Sequence, residues 1–362
     1  MAEHVSLATL RERIDAIDTE LLRLLNERGE CAQQVAAAKR ALGEEAAGFY
    51  RPEREAEVLR RVRAANPGPL PDAALVRLFR EVMSECLALE EPLNVAYLGP
   101  EGTFTHLAAR KHFGHAVSLL PLASIDGVFR EVESGRVRFG VVPIENSSEG
   151  VVTHTVDCFM DSPLQICGEV IVPVRHQLLS RCSDLSEVQV VMAHPQALAQ
   201  CRRFLDRALP GVERRHALSN ARAAADAAEQ AGVAAIASEA AAERYALAVL
   251  ARNIEDRADN TTRFLVIGGQ QTAPTGRDRT SIMLSTANRP GSLFGLLQPL
   301  AEAGISMTRI ESRPSRCVAW DYVFFLDLLG HHQDAAVAAC FDVLRSKADL
   351  FKILGSYPQA AT

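Results

Sequence analysis

Between residues 6 and 42 apolar side chains recur at Leu7, Leu10, Ile14, Ile17, Leu21, Leu24, Cys31, Val35, Ala38 and Leu42, in steps of three and four once Arg28 is counted into the series. This spacing predicts one long helix. At about 1.5 Å per residue it runs roughly 55 Å, far longer than a compact domain of about 90 residues is wide. Its seam therefore predicts cover from a second chain, and so a homodimer or a higher homo-oligomer. A second helix is predicted over 52–65, with Pro52 in its first turn. Asn66-Pro67-Gly68-Pro69 breaks the chain before a third helix over 72–90. Residues 1–91 thus read as an all-helical domain.

The period changes at Glu91-Pro92. Asn94 to Leu98 reads as a strand, Gly99 to Thr103 as a turn and Thr105 to His112 as a helix. Strand patterns at Phe139–Val142, Gln189–Ala193, Ala234–Ala237 and Phe264–Ile267 alternate with helical stretches, which predicts α/β layers around a largely parallel sheet. The length of 93–270 suggests two lobes. After the polar linker Gly268 to Asp278, the order is strand 280–286, helix 291–303, strands 305–312 and 319–328, helix 334–347 and strand 350–356. This is a βαββαβ ferredoxin-like unit over 279–357.

Composition removes several classes. With 48% apolar and 23% charged residues the chain is globular and not disordered. A net charge of -6, with basic residues dispersed among acidic ones, argues against a nucleic-acid partner. No charged and then apolar leader opens the chain, and the alanine-rich stretch 221–242 is broken by Arg222, Asp226, Glu229 and Glu239, so neither export nor membrane insertion is expected. The cysteines at 31, 86, 158, 167, 182, 201, 317 and 340 form no CxxC pair and no metal-ligand cluster with histidine. They read as reduced thiols of a cytoplasmic protein, with no metal and no cofactor expected.

Arg28 interrupts an apolar seam, and Lys39 follows about three turns on and only about 20° around the helix. Two cations then share one face with no acidic residue at a matching seam position. A dianionic ligand is one partner for them; solvated heads snorkelling from the helix edges are the other reading. The segments Leu10-Arg11-Glu12-Arg13-Ile14-Asp15, Leu24-Leu25-Asn26-Glu27-Arg28 and Tyr50-Arg51-Pro52-Glu53-Arg54-Glu55 resemble the all-helical chorismate mutases over about residues 1–90. The resemblance implies catalytic cations at Arg11, Arg28, Lys39 and Arg54, with Glu55 holding the substrate hydroxyl. Arg11 lies about 26 Å along the helix from Arg28, so it is expected to serve the other subunit's site. Rearrangement of chorismate to prephenate is pericyclic and needs orientation and electrostatics alone: arginines fix two carboxylates, and Lys39 stabilises charge growing on the ether oxygen. Three positions depart from the family pattern, with Arg51, Cys86 and Glu90 standing where an aspartate, a serine and a glutamine are expected. An ionised Glu90 would repel the ether oxygen, so the active form is expected to carry it protonated, with mutase activity rising toward acidic pH. A solvated glutamate at a helix end is the alternative.

The turn Gly99-Pro100-Glu101-Gly102-Thr103-Phe104 delivers a strand to a helix N-terminus, where free N–H groups attract carboxylates, although most such turns only connect. Together with Gly140-Val141-Val142-Pro143-Ile144-Glu145-Asn146-Ser147, His194-Pro195-Gln196 and Asp259-Asn260-Thr261-Thr262-Arg263-Phe264, it resembles the prephenate dehydratases over about 93–270. The resemblance implies a two-lobed fold like the type II periplasmic binding proteins, a catalytic Thr262, and substrate contacts at Thr103, Glu145, Asn146, Ser147, His194, Gln196, Arg263 and Phe264. Thr262 cannot give up a free proton but can hydrogen-bond the departing ring hydroxyl. Taken alone it would read as a capping or strand threonine.

Asn288-Arg289-Pro290-Gly291-Ser292-Leu293 and Glu311-Ser312-Arg313-Pro314 resemble the phenylalanine-binding ACT domains. This implies effector contacts from Asn288, Gly291, Ser292, Leu293, Glu311, Ser312 and Arg313, a pocket completed by a second chain, and inhibition by L-phenylalanine; an ACT unit serving only for dimerisation is the other reading. The three resemblances, in this order, are those of the bifunctional chorismate mutase/prephenate dehydratases with a C-terminal ACT domain. Two alternatives stay open, an arogenate-preferring dehydratase and a non-catalytic amino-acid-binding protein.

Overall fold

The computed structural model describes residues 6–43, 49–314 and 322–360. The chain divides into two compact units, one of Met1–Leu93 with Phe113–Ser118 and one of Asn94–His112 with Leu119–Thr362. In the first, the Ser6 hydroxyl accepts from Thr9 N and opens α1 (Leu7–Ala41). Pro52 occupies the first turn of α2 (Pro52–Ala64), where its missing N–H leaves nothing unpaired, and α3 (Asp72–Glu90) follows. α1 buries Gly29, Ala32 and Ala36, and a Cβ on Gly29 would come 3.3 Å from Leu89 of α3, so small residues carry this contact. The bulky seam behaves differently. Leu10, Ile14, Ile17, Leu21 and Leu24 are 43–56% exposed, a contiguous apolar stripe without cover in one chain.

The second unit runs β1 (Asn94–Leu98), α4 (Phe104–Phe113), β2 (Ser118–Leu122), α5 (Ile125–Glu133), β3 (Phe139–Asn146), β4 (Gly150–Val151), α6 (Thr153–Asp161), β5 (Gln165–Pro173) and β6 (Gln177–Ser180). It continues through β7 (Val190–Ala193), α7 (Pro195–Gln200), α8 (Arg202–Ala208), β8 (Glu213–His216), α9 (Asn220–Glu229), β9 (Val233–Ala237), α10 (Glu239–Tyr245), β10 (Ala248–Ala251) and β11 (Thr261–Gly268). Two sheets result, ordered β2-β1-β3-β11-β5 with β4 on β3, and β10-β6-β9-β7-β8. The lobes are as expected, but the largely parallel sheet is not. β11 runs antiparallel to β3 and β5, and β6 antiparallel to β9 and β10. The cause is that the chain leaves the first sheet after β5 and re-enters it at the same edge as β11, beside the end of β3, so β11 must run backwards.

The last segment, β12 (Asp278–Thr286), α11 (Ser292–Glu302), β13 (Met307–Pro314), β14 (Tyr322–Leu329), α12 (Ala335–Lys347) and β15 (Leu350–Pro358), builds an antiparallel sheet ordered β13-β14-β12-β15. Each boundary lies within a few residues of the ferredoxin-like expectation; residues 319–321 of the expected strand, and Cys317, lie outside the described residues. Alternation along its strands divides the side chains between two cores. Ile282, Leu284, Leu326 and Leu328 meet α11 and α12, whereas Met283, Val323, Phe325 and Tyr357 join Phe129, Phe159, Leu265 and Ile267 of the first lobe. The closest approach is at Gly355, where a Cβ would fall 2.2 Å from the Ile166 carbonyl oxygen, so only glycine fits.

Candidate active and regulatory sites

In the helical unit, α1 and α3 bring three charged groups into one field. Burial raises the Glu90 carboxyl above its ordinary range, against the opposing pull of Lys39 and then Arg28. Arg28 Nη1 donates to Val82 O at 3.5 Å, and the Lys39 ammonium stands 5.0 Å from the Phe49 ring centroid. Cys86 is buried one turn before Glu90. The remaining expected residues lie elsewhere in this chain. Arg54 is exposed and pairs with Glu57 at 2.6 Å, Arg51 pairs with Glu53 at 3.3 Å, and Arg11 is exposed on α1. Glu55 is taken by Arg80 Nε at 3.1 Å; burial raises its carboxyl, with Arg80 and Tyr50 opposing. Arg80 and Arg40, whose guanidinium donates to Glu90 O at 2.7 Å, escaped the sequence reading because their partners are distant in sequence.

In the two-lobed region, the turn after β1, the end of β3 and the start of β11 share one edge of the first sheet, and His194 follows β7 in the second. Ligand clefts of open α/β sheets form beyond such strand ends. Asn146 Nδ2 donates to Thr262 Oγ1 at 2.8 Å and to Asn260 Oδ1 at 2.9 Å. Asn260 Nδ2 reaches Gln200 Oε1 of the other lobe at 3.3 Å, and the same oxygen meets His176 Nε2 at 2.9 Å. Burial lowers the His176 pKa despite Gln200 and Glu255, so the ring is neutral. Ser147 Oγ accepts from Thr261 N at 3.0 Å. Thr103 Oγ1 donates to Pro100 O at 2.9 Å and accepts from His106 N, opening α4. His194 Nδ1 accepts from Gln196 N at 3.4 Å and opens α7. A second tie between the lobes runs from Ser238 Oγ to Gly102 O at 2.8 Å. Asn260, Gln200 and His176 carry no motif signal of their own apart from Asn260's place beside Thr261-Thr262.

Three expected substrate contacts lie away from the cleft. Neighbours on a strand point to opposite faces, so Arg263 turns away from Thr262. Its guanidinium meets Glu169 at 2.7 Å, Asp327 at 2.5 Å and Tyr357 Oη at 2.9 Å, with no arm left for a carboxylate in the cleft. Phe264 is 2% exposed and belongs to the core. Glu145 also leans away, its Oε2 lying 3.7 Å from Arg309 Nε.

Gly291 caps α11 with φ +84°, and Ser292 and Leu293 open the helix after Asn288. Glu311 and Ser312 lie on β13, the edge strand of its sheet. Arg313, expected to contact an effector, instead clamps Asp157 of α6 through bonds of 2.8 and 3.0 Å. A grouping unforeseen in the sequence joins Asp126, His154 and Cys158, whose ligand atoms lie within 4.8 Å of one another. Its spacing crosses from α5 to α6. His154 and Cys158 already bond the Asp126 carboxylate at 2.5 and 3.5 Å, and His154 holds its pKa below the usual value.

Comparison with known proteins matches residues 10–91 to the family model for chorismate mutase type II, 95–272 to prephenate dehydratase and 280–345 to the ACT domain. Over 363 residues, 99% of this chain and 100% of the relative, it is 52% identical to the bifunctional chorismate mutase/prephenate dehydratase of Pseudomonas aeruginosa. The structure of a prephenate dehydratase from Arthrobacter aurescens in complex with L-Phe is similar at 33% identity and TM-score 0.69, over 74% of this chain and 90% of that one. A structure described as a novel type of quorum quenching acylase is similar at 30% identity and TM-score 0.69, over 74% and 98%.

Proposed function

We propose, since this chain belongs to the family of bifunctional chorismate mutase/prephenate dehydratases, that it rearranges chorismate to prephenate and then removes carbon dioxide and hydroxide to give phenylpyruvate. The mutase domain is 1–91, the dehydratase 93–270 and the ACT domain 279–357. The similarity to the bifunctional relative spans both catalytic units, whereas the similarity to the acylase structure covers 74% of the chain.

In the mutase, Arg28 and Lys39 hold the substrate carboxylate and ether oxygen, and Glu90 donates to that oxygen in its protonated form, which its raised pKa supports. Arg11 comes from a partner. The exposed stripe on α1 supports a homodimer, because a bundle seam of that length is stable only when covered. Pericyclic chemistry asks for no cofactor.

In the dehydratase, the observation that carries the reading is the 2.8 Å bond from Asn146 Nδ2 to Thr262 Oγ1. Since Asn146 donates, Thr262 keeps its own O–H for another acceptor, and the departing ring hydroxyl is the acceptor this reaction supplies. Aromatisation drives the loss. The free N–H groups at the start of α4, with Ser147, His194 and Gln196, are the proposed contacts for the rest of prephenate.

L-phenylalanine is the proposed inhibitor, held by backbone groups at Gly291 to Leu293 and by Glu311 and Ser312, beside the edge strand of a second ACT unit. Among the described residues no helix is long and apolar enough to cross a membrane. Seven cysteines of the described residues are free thiols, which supports a cytoplasmic setting, and the net charge of -6 supports a protein without nucleic-acid partners. The test is phenylpyruvate formation from chorismate or prephenate as sole substrate: product from both supports the reading, and product from neither refutes it.

A further inference from the structure

Three arginines and three carboxylates meet where the first lobe joins the C-terminal sheet. Arg263 (12% exposed) lies between Glu169 of β5 (1%) and Asp327 of β14 (5%), and Arg279 of β12 adds a second cation to Glu169 at 2.5 Å. Arg309 of β13 (10% exposed) stands 3.9 Å from Asp327 and 3.7 Å from Glu145. Ser281 Oγ donates to Asp327 at 2.5 Å. The formal charges cancel, three against three; five of the six groups are at most 16% exposed, where charge must be paired, and Glu145 is 40% exposed. Glu169 and Asp327 each interrupt an apolar run and Arg263 stands directly before one, so none is there for packing.

The placement has a consequence for the proposed chemistry. Arg263 is the chain neighbour of Thr262, and Glu145 is the chain neighbour of Asn146, which bonds Thr262. Arg309 shares β13 with Glu311 and Ser312, the proposed effector contacts. Its Nε and Nη2 are buried without a hydrogen-bond partner, so it has donors to spare for Asp327. A small slide of β13 therefore offers Asp327 a second cation in place of Arg263, and a buried carboxylate shared by two arginines has two discrete arrangements.

We propose that Arg263 is a positioning residue, that its ion pair with Asp327 holds Thr262 in register for the dehydratase, and that Arg309 draws Asp327 away when the C-terminal sheet takes its amino-acid ligand. The inference rests on the dehydratase and L-phenylalanine readings above. Asp327 is the pivot. Burial favours its neutral form, but Arg263, Arg309 and Ser281 more than offset this and hold its carboxyl below the usual range, so it is ionised at neutral pH.

The test uses the full-length protein with prephenate, with and without L-phenylalanine. Turnover and inhibition of the unmodified protein come first; if either is missing, the functional reading fails independently of this inference. Given both, Asp327→Asn is expected to lower kcat about tenfold or more with KM within about twofold, and to raise the half-inhibitory L-phenylalanine concentration about tenfold. L-phenylalanine binding, measured by calorimetry, persists. Tyr357→Phe, which removes only a hydroxyl 2.9 Å from Arg263 Nη2, is expected to move kcat and inhibition the same way by a smaller factor, and it carries the test if Asp327→Asn does not fold. Wild-type kcat and inhibition in the folded variants would overturn the proposal. So would Arg263→Lys raising KM with kcat intact, since that would make Arg263 a substrate ligand.

Discussion

Asn146 and Thr262, 116 residues apart in sequence, face each other across the β3–β11 ladder with Nδ2 2.8 Å from Oγ1. The direction of this bond sets what the threonine can do. One lone pair of its hydroxyl oxygen is occupied, which leaves its O–H to donate to an acceptor.

Thr262→Val is expected to lower dehydratase kcat by about 10²-fold to 10³-fold, the usual weight of a positioned hydrogen-bond donor, while Thr262→Ser keeps most of the activity. Asn146→Ala removes the orienting bond together with the Asn146 bonds to Asn260 Oδ1 and from the Ser148 and Glu149 N–H groups, and is expected to cost about 2-fold to 10-fold in kcat. Steady-state kinetics with prephenate check all three; a Thr262→Val enzyme with normal kcat would remove Thr262 from the mechanism.

Glu90 provides a pH signature for the mutase. Its pKa is raised, so the protonated, donating form grows as pH falls and is lost as pH rises through that value. Activity on chorismate is expected to increase from about pH 8 to about pH 5, and Glu90→Gln to flatten the profile at the high level. A wild-type rate independent of pH would contradict the role.

The stripe on α1 is expected to be an interface. Leu21→Glu places a charge at a position 50% exposed in one chain but central to the seam. Light scattering is expected to show a dimer or larger for the wild type and monomer for the variant, with mutase activity reduced about tenfold or more because Arg11 is no longer supplied by a partner. Unchanged mass for the variant would place the interface elsewhere.

Gly291 adopts φ +84°, a conformation that costs a side chain about 1–2 kcal/mol. No atom lies within 4 Å of an added Cβ, so the cost is conformational alone. Gly291→Val is expected to raise the half-inhibitory L-phenylalanine concentration about fivefold to thirtyfold in the prephenate assay. An unaltered inhibition curve would exclude this turn from the effector site.

Most of the architecture was legible in the sequence because long-period patterns survive folding: α1 was expected over 6–42 and spans Leu7–Ala41, and the βαββαβ order appears with small shifts. What the sequence hid is which face a residue takes. Thr262-Arg263-Phe264 reads as one motif, yet alternation sends Arg263 to the C-terminal sheet, and Phe264 is buried in the core. A signal was there: Glu169 in Ile166–Val172 and Asp327 in Val323–Leu329 are lone acids in apolar strands, and such acids require a cation. The parallel-sheet expectation failed for a topological reason, since nothing in the Thr261–Gly268 pattern tells from which side the chain re-enters.

Gly355 tests the packing of the last strand. Its Cβ position lies 2.2 Å from the Ile166 carbonyl, so Gly355→Ala is expected to cost about 1–3 kcal/mol and to lower Tm. An unshifted melting curve would mean that β15 does not sit this closely on β5.

The most direct measurement of the central claim gives chorismate alone to the Thr262→Val variant and follows both products by chromatography. Prephenate accumulating at the wild-type rate without phenylpyruvate is the expected result, because Arg28, Lys39 and Glu90 are untouched while the dehydratase has lost its donor. Phenylpyruvate at the wild-type rate, or no prephenate at all, would contradict the assignment of two reactions to these two sites.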